Sequence, residues 1–157
     1  GRYGNDMYLN EGNIQMNNTY FYLYAVPSSL HIIGGTFGAN NLTMIGKSRK
    51  NKSRYYGYNG SAIYGANIET LTLINSTFKY QNSAQLGGAI YITYLVTVTS
   101  DEPTTITHKI VNCTFESNAA SSGGAIYFND VQYTEITSCN FTNNAALGGN
   151  TATGVGG

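Results

Sequence analysis

Short runs of alternating apolar and polar residues recur along the chain, each bounded by Gly, Asn or Asp, and no segment holds the 3.6-residue period of an amphipathic helix. The stretch from Gly123 to Leu147 shows one unit. A glycine pair opens it, a run rich in β-branched and aromatic residues follows from Ala125 to Phe128, and the chain turns at Asn129 and Asp130. A second run then extends from Glu135 to Phe141 and ends in the polar bend TNNAAL. Both runs predict strands. Side chains two apart on a strand share a face, so Cys113 and Phe115 face inward while Asn112 and Thr114 face solvent. By the same rule Ser76 and Phe78 point in with Asn75 and Thr77 out, and Cys139 and Phe141 point in with Asn140 out. His108, beside Lys109, reads as a strand residue facing solvent.

The unit repeats. NSTFKYQNSAQLGGAIYI, starting at Asn75, lines up with NCTFESNAASSGGAIYF from Asn112 and with SCNFTNNAALGGN from Ser138. Phe78, Phe115 and Phe141 anchor the three copies. A looser copy begins with Thr36, Phe37 and Asn40 and ends in GSAIY (Gly60 to Tyr64), and GNDMYL (Gly4 to Leu9) reads as the tail of one before it. The glycine doublets at 87, 123 and 148 are 36 and then 25 residues apart. An unequal period with a constant signature means that loops of different length are inserted into a common coil. Two or three strands per repeat, with no helix between them, fit a parallel β-helix better than a leucine-rich or ankyrin unit. Each coil then lays its Phe on the Phe of the next, about 4.8 Å away, and these stacks form the core. The pairs Gly87-Gly88 and Gly123-Gly124 allow tight corners that a Cβ would obstruct. Asn118 and Asn144 stack at the bend after the Phe strand, their amides bonding from coil to coil and to the turn backbone.

Two insertions interrupt the pattern, at 44–59 and 93–107. The first carries Lys47, Arg49, Lys50, Lys52 and Arg54, five of the eight basic residues, followed by Tyr55, Tyr56 and Tyr58. Such a run either binds an acidic polysaccharide, a phosphate or an anionic surface, with the tyrosines as stacking platforms, or is a solvated loop. The second alternates as YLVTVT, turns at Ser100 to Pro103 and returns through TTIT, which reads as a hairpin arm. Composition narrows the class further. Eight Lys and Arg balance eight Asp and Glu, so the net charge of zero argues against a nucleic-acid binder. Hydrophobic residues make up 41% of the chain, with 14 Tyr and 6 Phe but only two Pro, which excludes a disordered chain. The longest oily stretch, Tyr20 to Val26, stops at Pro27, so this segment inserts into no membrane. With no initiator Met and no signal peptide, it reads as a mature or excised segment.

Phe115-x-x-Asn118 followed by Gly123-Gly124-Ala125-Ile126, and Phe141-x-x-Asn144 followed by Gly148-Gly149, resemble the paired FxxN and GGA(I/L/V) repeats of the chlamydial polymorphic outer-membrane protein family. Similar repeats occur in large surface proteins of ciliates and algae. The resemblance covers roughly Phe37 to Gly149, and also the GNDMY ending near the N-terminus. The copy at Phe78 has Gln81 where the Asn is expected, with Asn82 next, and at Gly60 the pair is Gly-Ser. Membership of such a family implies right-handed β-helix coils of adhesins and surface fibres, and it supplies no shared catalytic residues.

The chemistry-bearing positions fit that class. Asn-x-Ser/Thr sequons stand at Asn17, Asn41, Asn51, Asn59, Asn75, Asn112 and Asn140. Asn75, Asn112 and Asn140 fall on solvent faces beside the core Phe, where they either carry N-glycans or form an exposed polar ladder. Large glycans on neighbouring coils would crowd one another. Cys113 and Cys139 share a slot in successive coils, so either a disulfide staples the coils or the two form a ladder of buried thiols. With no matching His pair they make no zinc site. No cofactor site is expected. Acid pairs for polysaccharide cleavage are lacking, since Asp101 and Glu102 share a turn and Glu69, Glu116, Asp130 and Glu135 stand apart.

The expected fold is an all-β, right-handed parallel β-helix of about five to six coils, a single domain over 1–157 and a segment of a longer or self-stacking solenoid. The expected function is a non-enzymatic, extracellular structural or adhesive element of the cell surface, a building block of a glycosylated filament. Its partners are further copies of itself, covalent N-glycans and surface polysaccharide. Competing readings are a polysaccharide-binding or lyase-like β-helix module and a bacterial autotransporter adhesin passenger.

Overall fold

A computed structural model describes residues 7–22, 30–46, 59–94, 107–131 and 133–148. These residues form β-strands joined by turns and contain no helix. The described residues make five passes. The first holds β1 (Met7–Asn10) and β2 (Asn13–Tyr22), and the second holds β3 (Leu30–Ile33) and β4 (Thr36–Ile45). The third holds β5 (Ile63–Ala66), β6 (Thr70–Ile74) and β7 (Thr77–Lys79). The fourth holds β8 (Ile90–Thr93), β9 (Thr107–Val111), β10 (Thr114–Glu116) and β11 (Ala119–Ala120). The fifth holds β12 (Ile126–Asn129), β13 (Tyr133–Thr137), β14 (Asn140–Thr142) and β15 (Ala145–Ala146).

Every pairing between these strands is parallel, and sheet neighbours come from different passes. A five-stranded sheet has the order β1-β3-β5-β8-β12, and β11 pairs with β15. The eight-stranded sheet is bent along its length. Thr36 to Asn40 of β4 pair with β6, whereas Thr43 to Ile45 pair with β7, and the break lies at a backbone corner. Asn18, Asn41, Asn75, Asn112 and Ser138 occupy that corner in successive passes, all left-handed with φ between 49° and 59°. Asn tolerates this conformation better than other side chains do. The run from Glu135 to Phe141, expected to be one strand, is therefore two, because Ser138 turns the chain between β13 and β14.

The glycine pairs form a second corner. Gly60, Gly87, Gly123 and Gly148 have φ of 62° to 66°. After Gly87 and Gly123 there is no room for a side chain, since a Cβ on Gly88 would collide with the Gly124 carbonyl oxygen and one on Gly124 with the Ala145 backbone, whereas Ser61 takes that place after Gly60.

One core cluster draws buried side chains from both large sheets, among them Leu30, Ile63 and Ile90 from one and Phe37, Leu71 and Ile110 from the other. The rings of Phe78, Phe115 and Phe141 stack at 5.1 and 4.9 Å between centroids. Met44 stands in register with Phe78, and Phe21 with Met44. Phe37 does not belong to this row: it pairs with Leu71 and Ile14, so the looser copy expected from Phe37 and Asn40 is out of register with the others. Its true counterpart is Met44, which carries no aromatic signal. His108 is a second correction. Instead of facing solvent it is fully buried, because Ile110 two residues on faces the core and strand alternation carries His108 with it, leaving Lys109 outside.

Positions 47–58 and 95–106, which make up most of the expected insertions, lie outside the described residues. Depth in the stack sets the cost of losing a ring. Phe115→Ala is expected to destabilise the protein by about 3–5 kcal/mol, and Phe141→Ala by clearly less because Phe141 is already 45% exposed. Urea unfolding followed by tyrosine fluorescence distinguishes the two.

Candidate functional site

The polar side chains that the passes bring together lie at the corners, where backbone N–H groups leave the strand ladder. A buried N–H without an acceptor is costly, and the third, fourth and fifth passes each supply side-chain acceptors for the one before. Ser76, Cys113 and Cys139 share one slot. Ser76 Oγ accepts the N–H of Leu42 at 3.2 Å, Cys113 Sγ that of Ser76 at 3.4 Å, and Cys139 Sγ that of Cys113 at 3.4 Å. Each of the three also donates its own proton to the carbonyl two residues earlier, at Ile74, Val111 and Thr137.

Both cysteines are free thiols, so the bridge that their shared slot allowed is not formed. Each sulfur points in the same sense along the stack, at a backbone amide of the preceding pass, and not at the other sulfur. Burial pushes the Cys113 thiol up to about 11.

Gln81, Asn118 and Asn144 occupy the second polar slot. Asn118 Oδ1 accepts the Gln81 N–H at 3.0 Å while its Nδ2 donates to the Phe78 carbonyl at 3.1 Å. Asn144 repeats the arrangement on Asn118 and Phe115, at 3.1 and 2.9 Å, and also accepts from Asn118 Nδ2 at 2.9 Å. Three residues from Phe to Asn is the spacing that lets one amide serve both backbone groups of the previous pass. Gln81 makes half of this bond set, donating from Nε2 to the Met44 carbonyl at 3.1 Å. Its Oε1 is buried without a partner among the described residues.

The sequons separate into different environments. Asn41, Asn75 and Asn112 are exposed left-handed corner residues whose amides form a ladder. Asn112 Nδ2 donates to Asn75 at 2.7 Å, Asn75 Nδ2 to Asn40 at 3.1 Å, and Asn41 Nδ2 to Asn18 at 2.9 Å. Asn140 is not their equivalent. It lies within β14, paired with Thr114, and accepts the Thr142 hydroxyl at 3.0 Å. The corner slot in that pass belongs to Ser138. Asn17 is exposed on β2, and Asn59 is half-buried with its Oδ1 accepting the Leu86 N–H. Asn51 lies outside the described residues, as do Lys47, Arg49, Lys50, Lys52, Arg54, Tyr55 and Tyr56 of the basic patch.

One feature of the surface goes beyond the expectations. Tyr8, His31, Tyr64, Tyr91 and Tyr127 occupy the second position of each strand in the five-stranded sheet, and their rings stack with centroids 4.4–5.9 Å apart. The signal was the tyrosine recurring in MYL, AIYG and AIYI, one residue after each core-facing Met or Ile. Tyr8 is exposed, His31, Tyr64 and Tyr127 are half-buried, and Tyr91 is buried. Lys79 pairs with Glu116 at 2.6 Å and Lys109 with Glu135 at 3.4 Å on the outer face of the eight-stranded sheet. Such partly exposed pairs add little to stability. Among the described residues no group of three or more His, Cys, Asp or Glu is gathered as a metal would require. No family model, curated protein or solved structure matches the chain.

Asn118→Ala is expected to cost about 2–4 kcal/mol by leaving two buried backbone groups unpaired, and Asn144→Ala less, since Asn144 is only partly buried. Chemical denaturation of the two variants checks the order. Cys113 in the folded chain is expected to react with a maleimide at pH 8 at least about a hundredfold more slowly than in the unfolded chain, which peptide mass mapping reads directly.

Proposed function

We propose that the chain is a non-enzymatic structural segment of an extracellular surface protein: a right-handed parallel β-helix, its five passes being coils, that builds a fibre by adding coils in register. The observation that carries this reading is the corner bonding. Side chains in fixed slots of the third, fourth and fifth passes complete the backbone of the pass before each, so a pass with the same slots can follow. Exposure at the fifth pass supports the same reading. Ile136 and Phe141 are 44% and 45% exposed, whereas their counterparts Ile110 and Phe115 are fully buried. The first pass of a second copy would set Phe21 on Phe141 and Tyr8 on Tyr127, extending both stacked rows. Burying large apolar side chains contributes about 1.5–3 kcal/mol each, and strand addition supplies directional main-chain bonds.

The FxxN and GGAI motifs favour the same class, because their Asn and Gly residues sit at the corners that such repeats need. Exposed sequons at Asn17, Asn41, Asn75, Asn112 and Asn140 favour a glycosylated surface protein. Adhesion to surface polysaccharide belongs to the same reading, with the stacked tyrosines as the contact face.

Untagged protein imaged by electron cryomicroscopy tests the assembly. Fibres with an axial repeat of about 4.8 Å are expected, and Phe21→Asp and Phe141→Asp should each abolish them while circular dichroism stays that of a folded β-protein. Folded single particles at every concentration would remove self-assembly from the reading.

A further inference from the structure

His108 brings an ionisable ring into the core. On β9 it is in register with Leu71 of β6 and Thr134 of β13, and its ring lies parallel to Phe128 of β12 at 6.2 Å between centroids. It is fully buried. Nδ1 accepts the backbone N–H of Leu71 at 3.1 Å, so the proton of the neutral ring resides on Nε2, which has no hydrogen-bond partner among the described residues. Leu71, Thr134 and Phe128 bring no charge to the ring from the strands packed against it. Lys109 and Glu135, the charged residues nearest in the sheet, lie on the outer face and pair with each other. Burial alone therefore governs the ring, and it holds His108 down to about 4 from the usual 6.5.

A second proton has one place to go, the Nδ1 lone pair. Its arrival turns the acceptor of the Leu71 N–H into a second donor facing it, and it leaves an unpaired cation in an apolar site. We infer that His108 is an acid-sensitive joint of the fold, whose protonation breaks the link to β6 and releases β9 with the fifth pass from the sheet. The inference goes beyond the structural role proposed above and requires no assembly.

The sign follows from linkage. The fold favours the neutral ring, so stability is level above about pH 6.5, falls as the pH drops towards 4 while only the unfolded chain takes up the proton, and levels again below. Unfolding in urea, followed at pH 7.5 and pH 4.5, reads the effect. The unfolding constant of the wild type should rise roughly 70-fold, and that of His108→Gln should change several-fold less. His31, the other histidine, sits in the exposed-face ring row between Tyr8 and Tyr64 and is also held below its usual range by burial. His31→Gln should keep most of the pH dependence of the wild type, and loss of that dependence in this variant would overturn the assignment. Ring-proton NMR of the intact wild type decides independently of whether the variants fold. A His108 ring titrating near 6.5 in the folded chain would overturn the inference, and one still neutral at pH 5 supports it.

Discussion

Parallel passes can stay in register only if the chain turns out of one sheet and into the next at the same place every time, without leaving backbone groups unpaired. A left-handed residue makes that turn, and side chains of the following pass complete the hydrogen bonds that it interrupts. The two requirements explain the composition. Six of the eleven non-glycine residues with positive φ among the described residues are Asn, and glycine fills the second corner at 60, 87, 123 and 148. Residues less suited to the conformation, Glu11 and Tyr80, are held there by neighbours in register, at a cost of roughly 1–2 kcal/mol each.

Capping of the corners also dictates which substitutions a slot accepts. Ser76, Cys113 and Cys139 differ in size and polarity, yet each presents one atom that both accepts and donates. Gln81 fits the Asn118 slot because its longer amide still reaches the Met44 carbonyl, although its oxygen is then left without a partner among the described residues. Chemistry is retained where geometry allows some drift. The sheet interiors obey a looser rule, for Phe21, Met44 and Phe78 share one row with no more in common than apolar bulk.

Much of this was legible in the sequence wherever a motif recurred with its spacing intact. The strands, the row from Phe78 to Phe141, the glycine corners and the slot of Asn118 and Asn144 follow from alternation and from aligned repeats. Recognition failed where the repeat had decayed to generic residues. Phe37 is an aromatic in a plausible context, but only the pairing partners reveal that Met44 holds its expected place. Asn140 looks like Asn75 and Asn112 as a sequon, whereas its distance from the Phe, one residue instead of three, puts it on a strand and not at a corner. His108 follows the period-two rule into the core, although the charged Lys109 beside it suggests a solvent face. The pairing partners of the two thiols lay beyond reach, since slot identity fixes the height of a side chain in the stack but not the direction in which its sulfur points.

Nearly all the bonds that join one pass to the next, from the strand ladders to the Asn amides and the sulfur contacts, run in one direction. A tensile load along that direction falls on all the bonds of an interface together, and the interface yields only when they fail at once. A load on one end of the chain meets them in sequence and peels away a single pass at low force. The molecule is therefore mechanically anisotropic, strong as a strut and weak as a thread, and its strength per interface does not depend on how many passes are stacked.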